Sequence, residues 1–155
     1  MRFTVHSVNV SPGKGTAKTP VPAAVADLSG LEGDAHRDVP GRTVSLLDLE
    51  SIEAFESETG IEARPGAFGE NITTRGIDLG GVVPGDLIEL GGALLVVTAI
   101  GKSCHGDGCE IFRRVGRCVM PSRGVFCRVL RGGRIPAGAG GLLLDRGGKD
   151  SEPAP

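Results

Sequence analysis

The chain has 155 residues, of which 39% are hydrophobic, 23% charged and 3% aromatic, and its formal net charge is -2. This length and balance predict one globular domain and exclude a disordered chain. The small net charge gives no general attraction to nucleic acid or to a membrane, so neither is predicted as a partner. The segment MRFTVHSVNV has no signal-peptide core and no apolar run approaches a span of ~20 residues, so we expect a cytoplasmic protein.

The first part of the chain predicts a strand followed by a connector. RFTVHSVNVS favours an opening strand because it is rich in β-branched residues that partly alternate. PGKGTAKTPVP is typical of a turn-rich connector. We expect its Lys14 and Lys18 to be either solvated or in contact with a phosphate, and solvation is favoured because most lysines are exposed. TVSLL predicts a further short strand before the helix.

One segment has the pattern of a helix, from Leu49 to Thr59. Leu49, Ile52 and Phe55 give it an apolar stripe. Asp48 is placed as the N-cap, and Gly60 occupies the position where a helix ends in a left-handed residue.

The later part of the chain predicts short strands. The two apolar runs in DLIELGGALLVVTAI flank Gly91 and Gly92, which predicts a hairpin whose turn tolerates positive φ at both positions. In VFCRVL, Val125 and Cys127 share one strand face and Phe126 and Arg128 share the other. We therefore predict a mostly β fold, a closed or partly open barrel with one or two short helices, over residues 1–145, followed by a flexible tail at 146–155.

The four cysteines follow the spacing C-x4-C-x8-C-x8-C, from Cys104 through Cys109 and Cys118 to Cys127. Without a secretory signal, reduced thiols, metal ligands or a catalytic thiolate are favoured over disulfides. Cys127 alternates within a strand, as core cysteines do. Cys104 follows the end of a predicted strand, and the flanking Lys102 and His105 both favour a thiolate, which attacks sulfur or binds a soft metal.

Three further polar segments are candidate sites. In GDAHRDVPGR, a carboxylate at Asp34 can orient the imidazole of His36, or the loop can simply hold itself in shape. In PGAFGENIT, Gly66 and Gly69 allow close approach to a ligand, although a self-satisfied turn is equally consistent. In RGVFCRV, Arg123 is either a phosphate contact or solvated.

Five segments, in order, resemble the MOSC domain, the family named after the C-terminal part of molybdenum cofactor sulfurases. They are GLEGDAHRD, GRTVSLLDLESIE, PGAFGENITTRGIDL, PGDLIELGGALLVVTAIGKSC and RGVFCRVLRGG, and together they cover nearly the whole of residues 3–137. The chain is similar to the compact standalone bacterial members. The resemblance implies a mostly β barrel related to the one inserted in pyruvate kinase.

The resemblance also implies binding of molybdenum cofactor, that is, molybdopterin with its metal. The family's key cysteine corresponds to Cys104, as a molybdenum ligand or a carrier of persulfide sulfur, and Cys109 and Cys118 are further candidate metal ligands. Three family positions correspond to His36, Arg42 and Asn71, and we predict that these, with Lys102 and Arg123, bind the cofactor. The implied activities are sulfur transfer in cofactor sulfuration and molybdenum-dependent reduction of N-hydroxylated substrates.

The sequence leaves alternatives open. The pyridoxal phosphate domain of the full sulfurases has no counterpart here, so a cysteine desulfurase, a molybdoenzyme or a cofactor-synthesis protein is predicted as partner. The Gly-Asp that often follows the family's last strand is replaced by RGGRIPAGAGG. A non-catalytic cofactor carrier is one alternative. A zinc-stabilised β module, with Cys104, Cys109, Cys118 and either His105 or Cys127 as ligands, is another.

Overall fold

The computed structural model describes residues 1–13, 17–101 and 124–144. Within these residues the chain forms eleven strands, one α-helix and one short 3₁₀ helix: β1 (Arg2–Val10), β2 (Thr19–Val21), β3 (Ala23–Asp27), β4 (Gly30–Leu31), β5 (Val44–Asp48), α1 (Leu49–Thr59), β6 (Ile72–Arg75), η1 (Leu79–Gly81), β7 (Leu87–Leu90), β8 (Ala93–Ile100), β9 (Val125–Arg131), β10 (Gly133–Pro136) and β11 (Gly140–Leu144).

Seven of these strands close into a barrel, in the order β1-β11-β7-β8-β9-β5-β6 and back to β1. Strand β1 closes the ring because it pairs with β11 at one end and with β6 further along. The pair β5–β6 is parallel, whereas the other neighbours in the ring are antiparallel. The predicted mostly β barrel is therefore confirmed. Strand β2 extends the sheet beside β1, and β10, β3 and β4 form a second small sheet.

The interior of the barrel is apolar because alternate residues of each strand point inward. Val5, Leu46, Ile72, Leu95 and Cys127 belong to this main core, and each is fully buried. A second apolar cluster lies between the helix and the outer surface of the barrel. Its buried members are Leu47, Ile52, Phe55, Ala63, Phe68 and Phe126. Residues on both faces of β5 and β9 are thus buried, and every residue of VSLLD is buried, including the polar Ser45 and Asp48.

The helix has the predicted bounds, and its buried stripe consists of Ile52 and Phe55. Asp48 occupies the N-cap position, but its carboxylate accepts a hydrogen bond from the hydroxyl of Ser51 (2.7 Å) and makes no side-chain capping bond to the backbone. Gly60 ends the helix with φ of 71° and donates its N–H to the carbonyl oxygen of Glu56. The predicted helix and its glycine C-cap are confirmed.

The predicted hairpin joins β7 to β8, with Leu90 paired to Ala93 across the two-glycine turn. Only Gly91 takes a positive φ, of 55°. The predicted hairpin is therefore confirmed, and the positive φ that the turn tolerates is used at the first of its two glycines. The close packing of the turn also requires a glycine, since a Cβ at Gly91 would lie 2.8 Å from the carbonyl oxygen of Arg134.

Other expectations need correction. Residues 19–21 form β2, although the connector around them was predicted to consist of turns. Lys18 is 4% exposed, so the favoured expectation of a solvated side chain is wrong for Lys18, whereas Lys14 lies outside the described residues. No helix of the described residues is long and apolar enough to cross a membrane. Residues from 145 onward lie outside the described part of the chain, so the boundary at 145 and the flexible tail stay predictions.

Candidate functional site

The candidate site is built at one edge of the barrel. The C-terminal end of β1 and the N-terminal ends of β5 and β6 meet there, because β1 is antiparallel to β6 and β5 is parallel to it. Two loops cover this edge: residues 32–43, between β4 and β5, and residues 60–71, between α1 and β6. The backbone N–H of Ala35 in the first loop donates to the carbonyl oxygen of Ser11, just after β1 (2.8 Å).

Asn71 is buried at this edge and ties three segments together. Its amide group donates to the carbonyl oxygen of Asn9 (3.1 Å), and its amide oxygen accepts from the backbone N–H of Ser45 (3.0 Å). Asn71 itself is 1% exposed. Both polar atoms of its side chain are therefore used in holding β1, β5 and β6 in register, and its predicted contact with a cofactor stays a prediction.

Glu70 holds the adjoining turn in shape. Its carboxylate accepts the backbone N–H groups of Gly66 (2.8 Å) and Phe68 (3.3 Å) and the hydroxyl of Thr73 (2.7 Å). Burial raises the pKa of Glu70, against the opposing effect of these donors. Gly66 has φ of 89°, and a Cβ there would collide with the carbonyl of Lys18. The close approach that this glycine permits is thus to the chain itself, as the self-satisfied alternative predicted.

The GDAHR loop carries a buried ion pair beside a histidine. The ammonium of Lys18 lies 2.7 Å from Asp34 Oδ1 and 3.2 Å from His36 Nδ1. Asp34 also accepts the backbone N–H groups of Ser11 (3.1 Å) and His36 (3.0 Å). The ring nitrogen of His36 is 3.6 Å from Asp34 Oδ2, so the closest polar contact of the imidazole is with Lys18. Asp34 therefore pairs with His36 through the backbone N–H of His36, and the predicted contact of the carboxylate with the imidazole is longer than a hydrogen bond.

The electrostatics of this cluster favour ionised Asp34. Burial alone would raise the pKa of Asp34, but the hydrogen bonds from Lys18 and from the backbone N–H of His36, together with the positive charge of Lys18, outweigh burial. The net result is a pKa well below the usual range of an aspartic acid. The side chains of Lys18 and Asp34 are almost completely buried, whereas that of His36 is 25% exposed. His36 is therefore the member of the cluster that a ligand can touch.

Arg42 lies near the end of the same loop, and its guanidinium is 5.0 Å from the centroid of the Phe126 ring. This distance is typical of a cation–π contact. The hydroxyl of Thr98 on β8 donates to the carbonyl oxygens of Gly41 and Phe126, the latter at 3.1 Å. The loop that carries His36 and Arg42 is thereby attached to β8, three residues before Gly101.

The structure links the segments that carry three of the predicted site residues. The loop of His36 is bound to the end of β1 through Ala35 and Ser11. Asn71 binds Asn9 on β1 and Ser45 on β5. Ser45 in turn pairs with Phe126, the residue that Arg42 contacts. The other predicted site residues lie outside the described residues: Lys102, Cys104, Cys109, Cys118 and Arg123. Their roles stay predictions.

Cys127 has a different environment from the one a metal ligand needs. It is completely buried in the apolar interior of the barrel, and burial raises the pKa of its thiol. Metal ligation requires the thiolate. The predicted core position is confirmed, and the zinc alternative is better served by His105 than by Cys127 as the fourth ligand.

Sequence reasoning missed Lys18 as a member of the site, and the connector around it carried no periodicity that could have indicated burial. Its partner Asp34 lies 16 residues away. Ser45 was also missed, although a polar residue inside the apolar strand VSLLD was a usable signal. Such a residue in a buried strand needs a hydrogen-bond partner, which here is Asn71.

The model of the MOSC domain family matches residues 33–140. The matched segment covers most of the chain and includes the GDAHR loop and the strands from β5 to β10. The chain therefore belongs to the MOSC domain family, as the resemblance of its motifs predicted.

Comparisons with particular proteins agree with this assignment. The uncharacterized protein YflK of Bacillus subtilis (strain 168) is 28% identical over 148 residues, which cover 87% of this chain and 65% of YflK. The chain thus spans about two thirds of that relative. The crystal structure of YiiM from Geobacillus stearothermophilus is similar with a TM-score of 0.74 and 26% identity, covering 94% of this chain and 76% of YiiM.

A further solved structure supports the fold alone. The YUAD protein from Bacillus subtilis has a TM-score of 0.77 and 18% identity, covering 92% of this chain and 96% of that protein.

Proposed function

We propose that this chain binds molybdenum cofactor and that the thiolate of Cys104 ligates the molybdenum or carries sulfur. The observation that supports this proposal most strongly is membership of the MOSC family over residues 33–140. A second observation is the attachment of the GDAHR loop to β8 through Thr98 and Gly41. Strand β8 leads into the sequence GKSC, so the loop and the strand before Cys104 are held together.

The polar groups at this edge suit an anionic cofactor with a phosphate and a pterin. Arg42 carries a fixed positive charge, and a guanidinium binds phosphate oxygens in a bidentate manner. The partly exposed His36 offers a ring nitrogen. In the proposal Lys102 and Arg123 add positive charge from the residues that flank the cysteine segment. The cofactor, when bound, supplies a metal centre with sulfur ligands, and a cysteine thiolate is a soft ligand suited to it.

Two activities are consistent with this site. In sulfur transfer, the thiolate of Cys104 would attack the outer sulfur of a persulfide on a cysteine desulfurase. The S–S bond of that persulfide breaks, the desulfurase cysteine leaves as a thiolate, and Cys104 carries the sulfur as a persulfide. For reduction, the cofactor would supply the metal, a separate protein would supply two electrons, and the hydroxyl oxygen of the N-hydroxylated substrate would leave as water with two protons from solvent. A carrier would bind the same cofactor and hand it to a molybdoenzyme or a cofactor-synthesis protein without turnover.

The test is elemental and pterin analysis of protein purified without oxygen from a host that makes molybdenum cofactor. The wild type, Cys104→Ser and the matched control Cys127→Ala are compared. We expect molybdenum and pterin in the wild type and the control and a loss of molybdenum in Cys104→Ser. About one zinc per chain without molybdenum would overturn the proposal in favour of the zinc-stabilised module.

The loaded wild type then separates an enzyme from a carrier. Turnover of an N-hydroxylated substrate with an artificial electron donor supports the reductase, and an added sulfur mass on Cys104 after incubation with a cysteine desulfurase supports sulfur transfer. Transfer of intact cofactor to an apo-molybdoenzyme, with neither of those results, identifies the carrier.

A further inference from the structure

The buried Lys18 is placed so that its ammonium contacts both Asp34 and His36. The distances are 2.7 Å to Asp34 Oδ1 and 3.2 Å to His36 Nδ1. Lysine is almost never fully buried unless its charge is paired. Lys18 is 4% exposed and Asp34 is 5% exposed, so this pair is a built feature of the site and not a chance contact at the surface.

The position of Lys18 is fixed by the turn at residues 65–70. The backbone N–H of Lys18 donates to the carbonyl oxygen of Gly66 (2.8 Å), and the Gly66 N–H in turn donates to Glu70 (2.8 Å). The carbonyl of Lys18 packs where a Cβ of residue 66 would be, so only glycine fits there. Lys18, which belongs to neither motif, therefore connects the PGAFGEN turn to the GDAHR loop: its backbone binds the turn and its ammonium binds the loop.

The contact with Lys18 determines which nitrogen of the imidazole acts as a hydrogen-bond acceptor. An ammonium has three donors and no acceptor, so the nitrogen that faces it must accept. That nitrogen is His36 Nδ1, and Asp34 Oδ2, at 3.6 Å, is too far to accept a proton from it. A neutral imidazole has one donor and one acceptor nitrogen. The proton must then lie on Nε2.

We propose that Lys18 is a positioning residue that fixes His36 as the neutral Nε2–H tautomer, so that the site meets its ligand with a hydrogen-bond donor. His36 then contributes a fixed donor to an oxygen or nitrogen acceptor of the bound molecule, and it has no free basic nitrogen with which to remove a proton. The identity of that molecule as molybdenum cofactor rests on the function proposed above, whereas the tautomer does not.

The tautomer is tested by two-bond ¹H–¹⁵N correlation spectra of the imidazole at pH 7.5, in a His6→Gln/His105→Gln background that leaves His36 as the remaining histidine. We expect a protonated Nε2 and an unprotonated Nδ1 in this protein. In Lys18→Met the ammonium that holds Nδ1 as an acceptor is absent, so we expect the Nδ1–H tautomer to become populated. Lys18→Arg restores a donor and should restore the Nε2–H pattern.

The spectrum of the protein with Lys18 intact decides the matter even where Lys18→Met fails to fold. A proton on Nδ1, or on both nitrogens, overturns the proposal. An unchanged Nε2–H tautomer in a folded Lys18→Met variant overturns the role of Lys18.

The donor role is tested separately with two amides. Glutamine places its NH₂ group close to the position of Nε2, and asparagine places it close to Nδ1. We expect His36→Gln to retain about tenfold more molybdenum and pterin than His36→Asn, the effect of one hydrogen bond. Equal losses in the two variants overturn the donor role. If the wild type contains no cofactor, the proposed function fails, while the tautomer result still stands.

Discussion

Ser45 and Asn71 bind one another reciprocally, through the backbone of each and the side chain of the other. The N–H of Ser45 donates to Asn71 Oδ1 (3.0 Å), and the N–H of Asn71 donates to Ser45 Oγ (3.1 Å) and to the Ser45 carbonyl oxygen (3.0 Å). Both residues are buried. This double link fixes the start of the parallel pair β5–β6, on which the two site loops depend.

We expect Asn71→Ala to lower the free energy of unfolding by about 2–3 kcal/mol, because the buried Ser45 N–H and Asn9 carbonyl lose their partner. Urea denaturation followed by circular dichroism measures this loss. The control is Glu53→Ala on the exposed face of α1, which should change stability by less than about 0.5 kcal/mol. A stable Asn71→Ala variant that has lost only cofactor would contradict the structural role.

Asp34→Asn should destabilise the protein in a pH-dependent way. The pKa of Asp34 in the fold lies below its ordinary value of 3.8, so its stabilisation is present above that pH and is lost as the pH falls further. At pH 7 we expect a loss of about 3 kcal/mol, since Lys18 is left buried without its partner charge. The difference in unfolding free energy between the wild type and Asp34→Asn should become smaller as the pH drops below 3.8.

The comparison is made by thermal unfolding at several pH values, with Asp38→Asn as the control. Asp38 is exposed in the same loop and has φ of 67°, a conformation that asparagine tolerates. A difference between wild type and Asp34→Asn that widens on acidification would contradict the assignment.

Gly66→Ala should cost more stability than Gly76→Ala, although both glycines have φ of 89°. Both substitutions force alanine into a left-handed conformation, at about 1 kcal/mol. Only at Gly66 does the new Cβ collide with a neighbour, the backbone of Lys18, whereas Gly76 has nothing within 4 Å. We expect an additional loss of about 1–3 kcal/mol for Gly66→Ala, measured by urea denaturation. Equal losses would mean that Lys18 can move away freely.

Glu70→Gln should show the opposite pH trend to Asp34→Asn. Burial raises the pKa of Glu70 above its ordinary value of 4.5, so the folded state favours the protonated carboxyl. The contribution of Glu70 to the free energy of unfolding is then fully present below pH 4.5 and declines as the pH rises through the folded-state pKa. Glutamine also turns an NH₂ group towards backbone donors, so we expect a loss of about 1–3 kcal/mol near pH 4.5 that shrinks at higher pH.

Denaturant unfolding at pH 4.5 and pH 8 checks this trend, and Glu53→Gln on the exposed helix face provides the matched control. A loss that grows with pH would show that the three donors to Glu70 outweigh burial.

The thiol of Cys127 should be unreactive in the native protein. Burial raises the pKa of this thiol, and the side chain is fully enclosed in the barrel interior. In a variant with serine at positions 104, 109 and 118, we expect no reaction with a disulfide reagent at pH 8 until urea unfolds the chain. Full reaction in the absence of urea would contradict the packing of β9.

Local patterns determined the elements whose signals lie within a few residues. The apolar stripe of the helix and the glycine that follows it, Gly60, predicted the same first and last helical residues as the structure shows. A 3.6-residue period and a left-handed cap are properties of nearby positions in the chain, so the sequence is enough to predict them. The Gly91-Gly92 turn fixed the β7–β8 hairpin, and alternation in β9 placed Cys127 inward. Family membership was also evident from the ordered motifs, since their residues are read directly from the chain.

The tertiary structure alone decided which distant segments meet. Nothing local indicates that Arg2 pairs with Leu142 to close the barrel, or that β3 pairs with β10 across more than a hundred residues. Strands β3, β4, β10 and β11 were not predicted individually, because short, glycine-rich strands are stabilised by their partners more than by their own composition. Lys18 is the clearest case. Its sequence neighbours suggest a solvated side chain. In the fold, the carboxylate of Asp34 pairs with the ammonium and the carbonyl oxygen of Gly66 binds the backbone N–H, and these contacts stabilise the buried lysine.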